Sequence, residues 1–313
     1  MSSLVQKQHV DSQRAVDVAE SFLAERQDRD GHWRDYELEP GRSEAWITGC
    51  VGYALCQRVD IAHSRRIALQ RAVDALRASQ RPEGWGYNRQ TACDADSTSW
   101  VIRFLARAGA PNDSSASTLL RRYVTSTGAV RTFGSADRFG SWAMEHDEVT
   151  PLAGLALLAA GERRLAAQVR ASVLNTWVAG YGWKPFWWRG GAYASAQNLD
   201  FLSAGGGIPK DLAADEQARL LCAPAPESAF EAAQRLAAAV HLGASCEALR
   251  FGERLLGLQS GDGGWPPSPC LLVRNQREPD RFKMFSDDRR LLSTAMSVMA
   301  LALWLVRQDS VPI

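Results

Sequence analysis

One phrase recurs along this chain: the end of an apolar helix-like run, then Gln, then a turn of the form Gly-x-Trp. It reads Phe22-Leu23, Gln27, Gly31, Trp33 in the first copy and Leu76, Gln80, Gly84, Trp85 in the second. A later copy is Leu255-Leu256, Gln259, Gly263, Trp265. Worn copies stand at Trp177-Val178, Gly180, Gly182, Trp183 and at Tyr123-Val124, Gly128, Val130. A spacing of about 50 residues marks a repeat architecture, in which each unit buries its apolar face against its neighbours. Gly permits the positive φ that follows a helix end. The Gln amide has donors and acceptors enough to tie the turn to backbone nearby. The Trp brings a large flat face and one N–H that needs an acceptor. The phrase therefore predicts a clasp between successive helical hairpins, and it describes a scaffold before it describes a site.

The helical segments between these turns fall into two kinds. One kind is amphipathic and rich in arginine, at 64–79, 113–126, 162–177 and 245–258, with weaker members at 13–26 and 210–221. These segments predict helices with one face in solvent. The other kind is apolar almost all round, at 43–57, 149–160, 228–242 and 289–306, with weaker members at 96–109 and 192–203. A helix without a polar face belongs inside a larger assembly. No alternating strand pattern runs for more than a few residues. The expected fold is all-α: an α/α toroid, or (α/α)6 barrel, of about six outer and six inner helices around a central cavity. Pro82, Pro111, Gly205-Gly206-Gly207, Pro224, Pro226 and Pro266-Pro267 read as hairpin joints, so residues 1–313 form one expected domain, with 1–12 as a flexible N-terminus. The longest loop, 266–287, carries Arg274, Arg277, Arg281 and Lys283 and has the length of a functional or lid-like segment.

Composition narrows the function. With 313 residues and 46% apolar side chains the chain can bury a large core. A formal charge of +1, with no basic patch interleaved with aromatics, argues against nucleic acid as a partner. The polar start of the chain lacks a signal-peptide pattern. No uncharged apolar run reaches the length of a membrane span, so none is expected. Cys50, Cys56, Cys93, Cys222, Cys246 and Cys270 are scattered without ligand spacing and read as reduced thiols of a cytoplasmic protein. Neither His-Glu-x-x-His nor paired Cys-x-x-Cys occurs, so no metal or other cofactor is expected.

Acids gather where the inner helices begin: Ser43-Glu44, Asp94-Ala95-Asp96-Ser97-Thr98, Glu145-His146-Asp147-Glu148, Glu227-Ser228 and Asp287-Asp288. In an alternating barrel these starts share one mouth, which predicts a ring of carboxylates above an apolar cavity. Two readings are open. Asp and Ser are preferred N-caps and acids complement the helix dipole, so recurrence at every repeat is what capping predicts. Alternatively, two close carboxyls beside an apolar cavity raise one pKa and hold a neutral acid, a role that suits Asp94 and Asp96. Trp46, Trp100 and Trp142 fall at or near inner-helix starts, and Trp183, Phe186, Trp187, Trp188 and Tyr193 form a dense cluster. Aromatic faces stabilise cations, so walls of this kind suit a carbocation or a polyene. Adjacent Trp187 and Trp188 cannot both face the cavity. His146, beside Asp147 and Glu148, is a candidate base or proton carrier as well as a plain loop residue.

Taken together, the Gln/Gly-x-Trp phrases and Asp94-Ala95-Asp96-Ser97-Thr98 resemble the squalene-hopene/oxidosqualene cyclase and class II diterpene cyclase superfamily, within the prenyltransferase and squalene oxidase repeat group. The repeats carry that likeness along most of the chain. The family opens an inner helix with Asp-x-Asp-Asp-Thr, whose middle Asp protonates an alkene or epoxide. The resemblance implies that Asp96 is that acid, Asp94 the first Asp and Thr98 the Thr. Ser97 departs from the second tandem Asp. The family places substrate between two barrels, whereas one barrel must use its own cavity, a homodimer or a partner chain. The Asp-x-Cys zinc site of the protein prenyltransferases is missing, and Asp287-Asp288-Arg289-Arg290-Leu291 fails the class I Asp-Asp-x-x-Asp pattern.

Three functions follow as expectations. The first is a class II-like cyclase or isomerase, with Asp96 and Asp94 catalytic. Its isoprenoid or other apolar substrate would meet Trp46, Trp100, Trp142, His146, Asp147, Glu148, Trp187, Trp188 and Tyr193. The second is glycosidase- or lyase-like acid–base chemistry on the same scaffold. The third is a toroid without catalysis that binds a lipid or a protein partner.

Overall fold

The computed structural model describes residues 2–58, 63–111 and 116–309. Outer helices α1 (Ser2–Glu25), α3 (His63–Ala78), α5 (Ala116–Leu120), α8 (Arg163–Thr176), α10 (Lys210–Cys222) and α12 (Ser245–Gly257) alternate with inner helices. The inner ones are α2 (Ala45–Leu55), α4 (Ala95–Arg107), α7 (Val149–Ala159), α9 (Ala192–Ala204), α11 (Ala229–Leu242) and α13 (Leu291–Asp309). A short α6 (Ala136–Phe139) and a 3-10 turn (Gly140–Ala143) precede α7. The expected toroid is therefore present, built from all six expected pairs among the described residues.

The inner helices close a ring. α2 packs on α4, α4 on α7, α7 on α9, α9 on α11, α11 on α13, and α13 returns to α2. Their composition explains it: every residue of α2 is buried except Tyr53, and Val149 through Leu157 of α7 are all buried. Small residues set the spacing. A Cβ on Gly154 would meet the Phe201 ring at 2.4 Å, so α7 and α9 approach more closely than alanine allows.

The repeated phrase forms the expected clasp. The indole N–H donates back into the preceding outer helix in four copies: Trp33 to the Leu23 carbonyl at 2.7 Å, Trp85 to Leu76 at 2.8 Å, Trp183 to Val173 at 2.9 Å and Trp265 to Leu255 at 2.7 Å. The Gln27 amide donates to Gly31 in its own turn and to Ala68 on the next outer helix. Gln259 does the same with Gly263 and, across the ring, with Ala15 of α1. A third component is a threonine in the first turn of the following inner helix. Thr48, Thr98, Thr150 and Thr294 accept from the backbone N–H of Trp33, Trp85, Val130 and Trp265 at 2.9–3.1 Å.

Several expectations need correction. α1 begins at Ser2, so the stretch expected as a flexible 1–12 is helical from there, and Met1 lies outside the described residues. The outer helix expected over 113–126 is only Ala116–Leu120, and 113–115 lie outside the described residues. The helix α13 does contain a stretch, Leu291–Gln308, long and apolar enough to cross a membrane, and 72% of it is buried within the barrel. Strands are present too: β1 (Glu37–Leu38) with β2 (Gly41–Arg42), and β3 (Pro269–Arg274) with β4 (Phe282–Ser286). The second hairpin occupies the expected lid loop. It is stitched down rather than free: Leu272 N–H donates to Trp187, Arg189 N–H to Cys270, Ser141 N–H to Gln276, and the Trp142 indole to Arg274 at 2.6 Å.

Candidate active site

The capping and chemical readings separate residue by residue. Asp94 is a cap: one carboxylate oxygen accepts from Ser97 N–H at 2.7 Å, the other from the Ser97 hydroxyl at 2.8 Å. Asp287 accepts from Ser293 N–H in α13, while Asp288 is exposed. Glu44 caps nothing and instead pairs with Arg34 and Arg89. Glu227 is paired with Arg189 at the surface. Asp96 sits one residue inside α4, and no hydrogen bond closes on its carboxyl. It is deep in the barrel yet half-buried, while Ala95, Ser97 and Thr98 around it are fully buried. A carboxyl with open surface at such depth faces an interior space.

Burial, then the charges of Asp94 and Glu148, push the Asp96 pKa well up, and the Trp46 indole N–H opposes the shift without closing a hydrogen bond. Burial likewise raises Asp94 to about 6, against the hydrogen bonds from Ser97. Burial and the two neighbouring acids thus favour the protonated form of Asp96. Its helix presents Asp96, Trp100 and Arg103 on one face, the spacing of successive turns. Trp46 and Cys50 approach from α2 and Tyr193 from α9.

An aromatic wall joins these groups. Trp188 stacks on Phe230 with centroids at 4.9 Å, lies tilted against Tyr193 at 4.4 Å and meets Trp46 at 6.0 Å. Trp46 also meets Tyr36 and Tyr87. Trp100 meets Tyr53 edge-on, and the Arg103 guanidinium lies over both rings. The indole N–H groups of Trp46 and Trp100 and the Tyr193 hydroxyl are buried without a hydrogen-bond partner. Trp187 turns the other way, as expected of a neighbour of Trp188. It joins Trp142 at 5.4 Å, Phe186 at 5.0 Å and His146 at 5.7 Å, and its indole donates to Thr132.

The remaining expected residues divide. Glu148 is buried beside the site and raised to about 7 by burial, against hydrogen bonds from Trp187 and Phe186 N–H. His146 stacks on Phe186 at 3.9 Å and bonds Thr132 at 2.7 Å. Burial lowers its pKa to about 3, so the imidazole stays neutral and the expected proton carrier is not an imidazolium. Asp147 directs its carboxylate away, onto Lys184 N–H at 2.8 Å, and anchors the 184 turn instead of lining the interior. Thr98 belongs to the repeat clasp, donating to the Trp85 carbonyl as well as accepting from its N–H. Arg274 is tied to the Phe186 and Pro279 carbonyls. Cys50, Tyr53, Arg103 and Phe230 escaped the sequence reading. For Arg103 the signal was there, a charged residue at the inward spacing from Asp96 on an inner helix. A groove of about 800 Å³ between α1 and the Gly261–Gly263 turn lies outside the barrel and holds none of these residues.

No family model and no curated protein sequence matches the chain. Solved structures do. The type II terpene cyclase MstE from Scytonema, in complex with its substrate geranylgeranyl dihydroxybenzoate, superposes with a TM-score of 0.85 at 20% identity, over 96% of this chain and 99% of that one. A protein from Actinoplanes gives 0.79 at 26% identity, over 93% and 99%. An unsaturated glucuronyl hydrolase specific for heparin gives 0.58 at 14% identity, over 95% and 96%. The chain thus has the terpene cyclase-like α/α toroid, a scaffold it also shares with a carbohydrate-active enzyme.

Proposed function

We propose that the chain is a class II-type cyclase or isomerase that starts its reaction by protonating an isoprenoid or related polyene inside its own barrel. The observation that carries this reading is Asp96, a half-buried carboxyl deep in the barrel on which no hydrogen bond closes and whose protonated form is favoured by burial and by two neighbouring acids. Its proton passes to one carbon of a C=C bond and leaves a cation at the other. The π electrons of the next double bond then close a ring, and loss of a proton ends the sequence. The product is an isomer of the substrate. Trp46, Trp100, Trp188 and Tyr193 offer ring faces to the travelling cation. Trp142 and Trp187 form a second aromatic group toward the β3–β4 hairpin.

MstE supports the use of a single barrel, because 99% of that chain is matched here and it was solved with geranylgeranyl dihydroxybenzoate as substrate and merosterolic acid A as product. The glucuronyl hydrolase likeness means that the scaffold alone does not choose between cyclase and sugar chemistry. The aromatic wall around Asp96 favours the polyene. The six unpaired cysteines support a reducing compartment, in keeping with a cytoplasmic enzyme.

The test is product analysis by mass spectrometry, without added metal, of wild type and Asp96→Asn against squalene, farnesyl and geranylgeranyl diphosphates and prenylated aromatics. An isomer of unchanged mass, absent with Asp96→Asn at equal folding, supports the proposal. An Asp96→Asn variant as active as wild type sinks it.

A further inference from the structure

This inference rests on the reading of Asp96 as the proton donor. Ser97 stands where the resembling motif has its second tandem acid, and both its N–H and its hydroxyl are engaged by Asp94. The inner helix α4 therefore offers Asp96 no carboxylate in that position. The adjoining inner helix does. Glu148 immediately precedes α7, which packs against α4, and Thr132 bridges the two starts: its carbonyl accepts from Ala95 N–H at 2.9 Å and its hydroxyl bonds the His146 ring, two residues before Glu148, at 2.7 Å. Glu148 is 1% exposed. One of its oxygens accepts from Phe186 N–H at 2.8 Å and Trp187 N–H at 2.6 Å, while the other is buried without any partner.

Two close buried acids do not share a proton evenly. The proton settles on the one whose anion is less supported. Two backbone amides hold the charge of Glu148, whereas Asp96 has only the Trp46 indole N–H directed at it, which closes no hydrogen bond. The other groups facing Asp96 are Asp94 on α4, Cys50 and the Trp46 indole on α2, and Tyr193 on α9, with the Arg103 guanidinium two turns along the same face of α4 and paired with Asp200. Burial keeps the thiol and the phenol neutral, so the negative charges in reach are those of Asp94 and Glu148. Glu148 in turn has Asp147 beside it, and the nearby His146 is neutral. We infer that Glu148 is the positioning residue that keeps the proton on Asp96, supplying from α7 the carboxylate that Ser97 withholds from α4.

Glu148→Gln isolates the charge, because the amide oxygen still accepts from Phe186 and Trp187. Carboxyl titration is read by infrared or carbon-13 spectroscopy of aspartate-labelled protein, with Asp96 assigned by its loss in Asp96→Asn. In Glu148→Gln the Asp96 midpoint falls by about one pH unit or more, the usual size of a like-charge effect at close range. Glu148→Asp, which retains the charge, restores the midpoint toward wild type. The ratio of Glu148→Gln to wild-type turnover falls as pH rises from 6 to 8, by roughly tenfold, whereas a purely structural defect lowers it equally at each pH. A wild-type midpoint in folded Glu148→Gln overturns the inference. If that variant does not fold, the wild type still decides: Glu148 must lose its proton before Asp96, and the reverse order overturns the inference. The titration needs no substrate. A chain that shows the shift but cyclises nothing keeps this role for Glu148 and loses the proposed reaction.

Discussion

Replacing a clasp threonine by valine tests whether Thr98 serves the repeat or the chemistry. The side chains are nearly the same size, so little cavity forms, and what changes is the hydrogen bonding of backbone that has no water to turn to. Thr48, Thr98 and Thr294 are fully buried, and Thr150 is 4% exposed. Thr98→Val strands the Trp85 N–H, whose acceptor is the Thr98 hydroxyl, but the Trp85 carbonyl keeps a bond from Asp94 N–H. Thr294→Val likewise strands the Trp265 N–H. Thr48→Val strands more, since Thr48 serves both the N–H and the carbonyl of Trp33. A buried group left unpaired costs about 1–3 kcal/mol, which gives roughly 2 kcal/mol for Thr98→Val and Thr294→Val and roughly 4 kcal/mol for Thr48→Val. In a domain of this size that is a fall in Tm of about 3 °C for the first two and about 6 °C for the third. Differential scanning calorimetry at fixed pH measures it, with turnover per folded molecule measured alongside. Thr98→Val should melt like Thr294→Val, on the inner helix at the far side of α2, and turn over like wild type when folded. A Thr98→Val protein that melts with wild type but has lost turnover would refute the structural assignment and return Thr98 to the chemistry.

Other outcomes follow from the same geometry. Asp96→Asn should lower cyclisation by at least about a thousandfold, near the upper range for a positioned general acid, without unfolding the chain. Burial raises Asp94 to about 6 and Glu148 and Asp287 to about 7, so the folded state binds more protons than the unfolded chain between about pH 4 and 7, and stability should fall as pH rises through that window. Thermal melts from pH 4.5 to 8 check the sign, and Asp287→Asn should flatten the slope. Gly154→Ala should cost about 1–3 kcal/mol by overpacking against Phe201, read as a lower denaturation midpoint, and Phe201→Leu in the same chain should recover part of the loss.

The scaffold was legible because its signals are local. A Trp seven or eight residues past a helix end, a Gln four residues before the turn glycine and a fully apolar helix each have one way of satisfying their groups in a ring of hairpins. Asp96 was legible through motif spacing, and its aromatic surroundings through residue type. What stayed hidden depends on long-range placement. The threonine clasp joins residues 13 to 29 positions apart, a spacing too variable to form a pattern. Glu44 resembles a cap in sequence and is captured by two arginines. The 266–287 segment has no strand period, and becomes a hairpin because β3 finds the 187–189 backbone to pair with. Asp147 and Glu148 are adjacent in the chain yet face different elements, a distinction fixed only once the 184–187 turn is in place.

The contact of α13 with α2, sealed by Gln259 on α1, has a consequence for how such a chain changes over time. An open stack of repeats gains or loses units at its ends and melts in stages. Here every hairpin has neighbours on both sides, so a duplicated unit has no vacancy to fill and a deleted one leaves a breach. Divergence is confined to substitution and to the segments over the mouth. The ring should lose its structure all at once, with no surviving fragment of intermediate size.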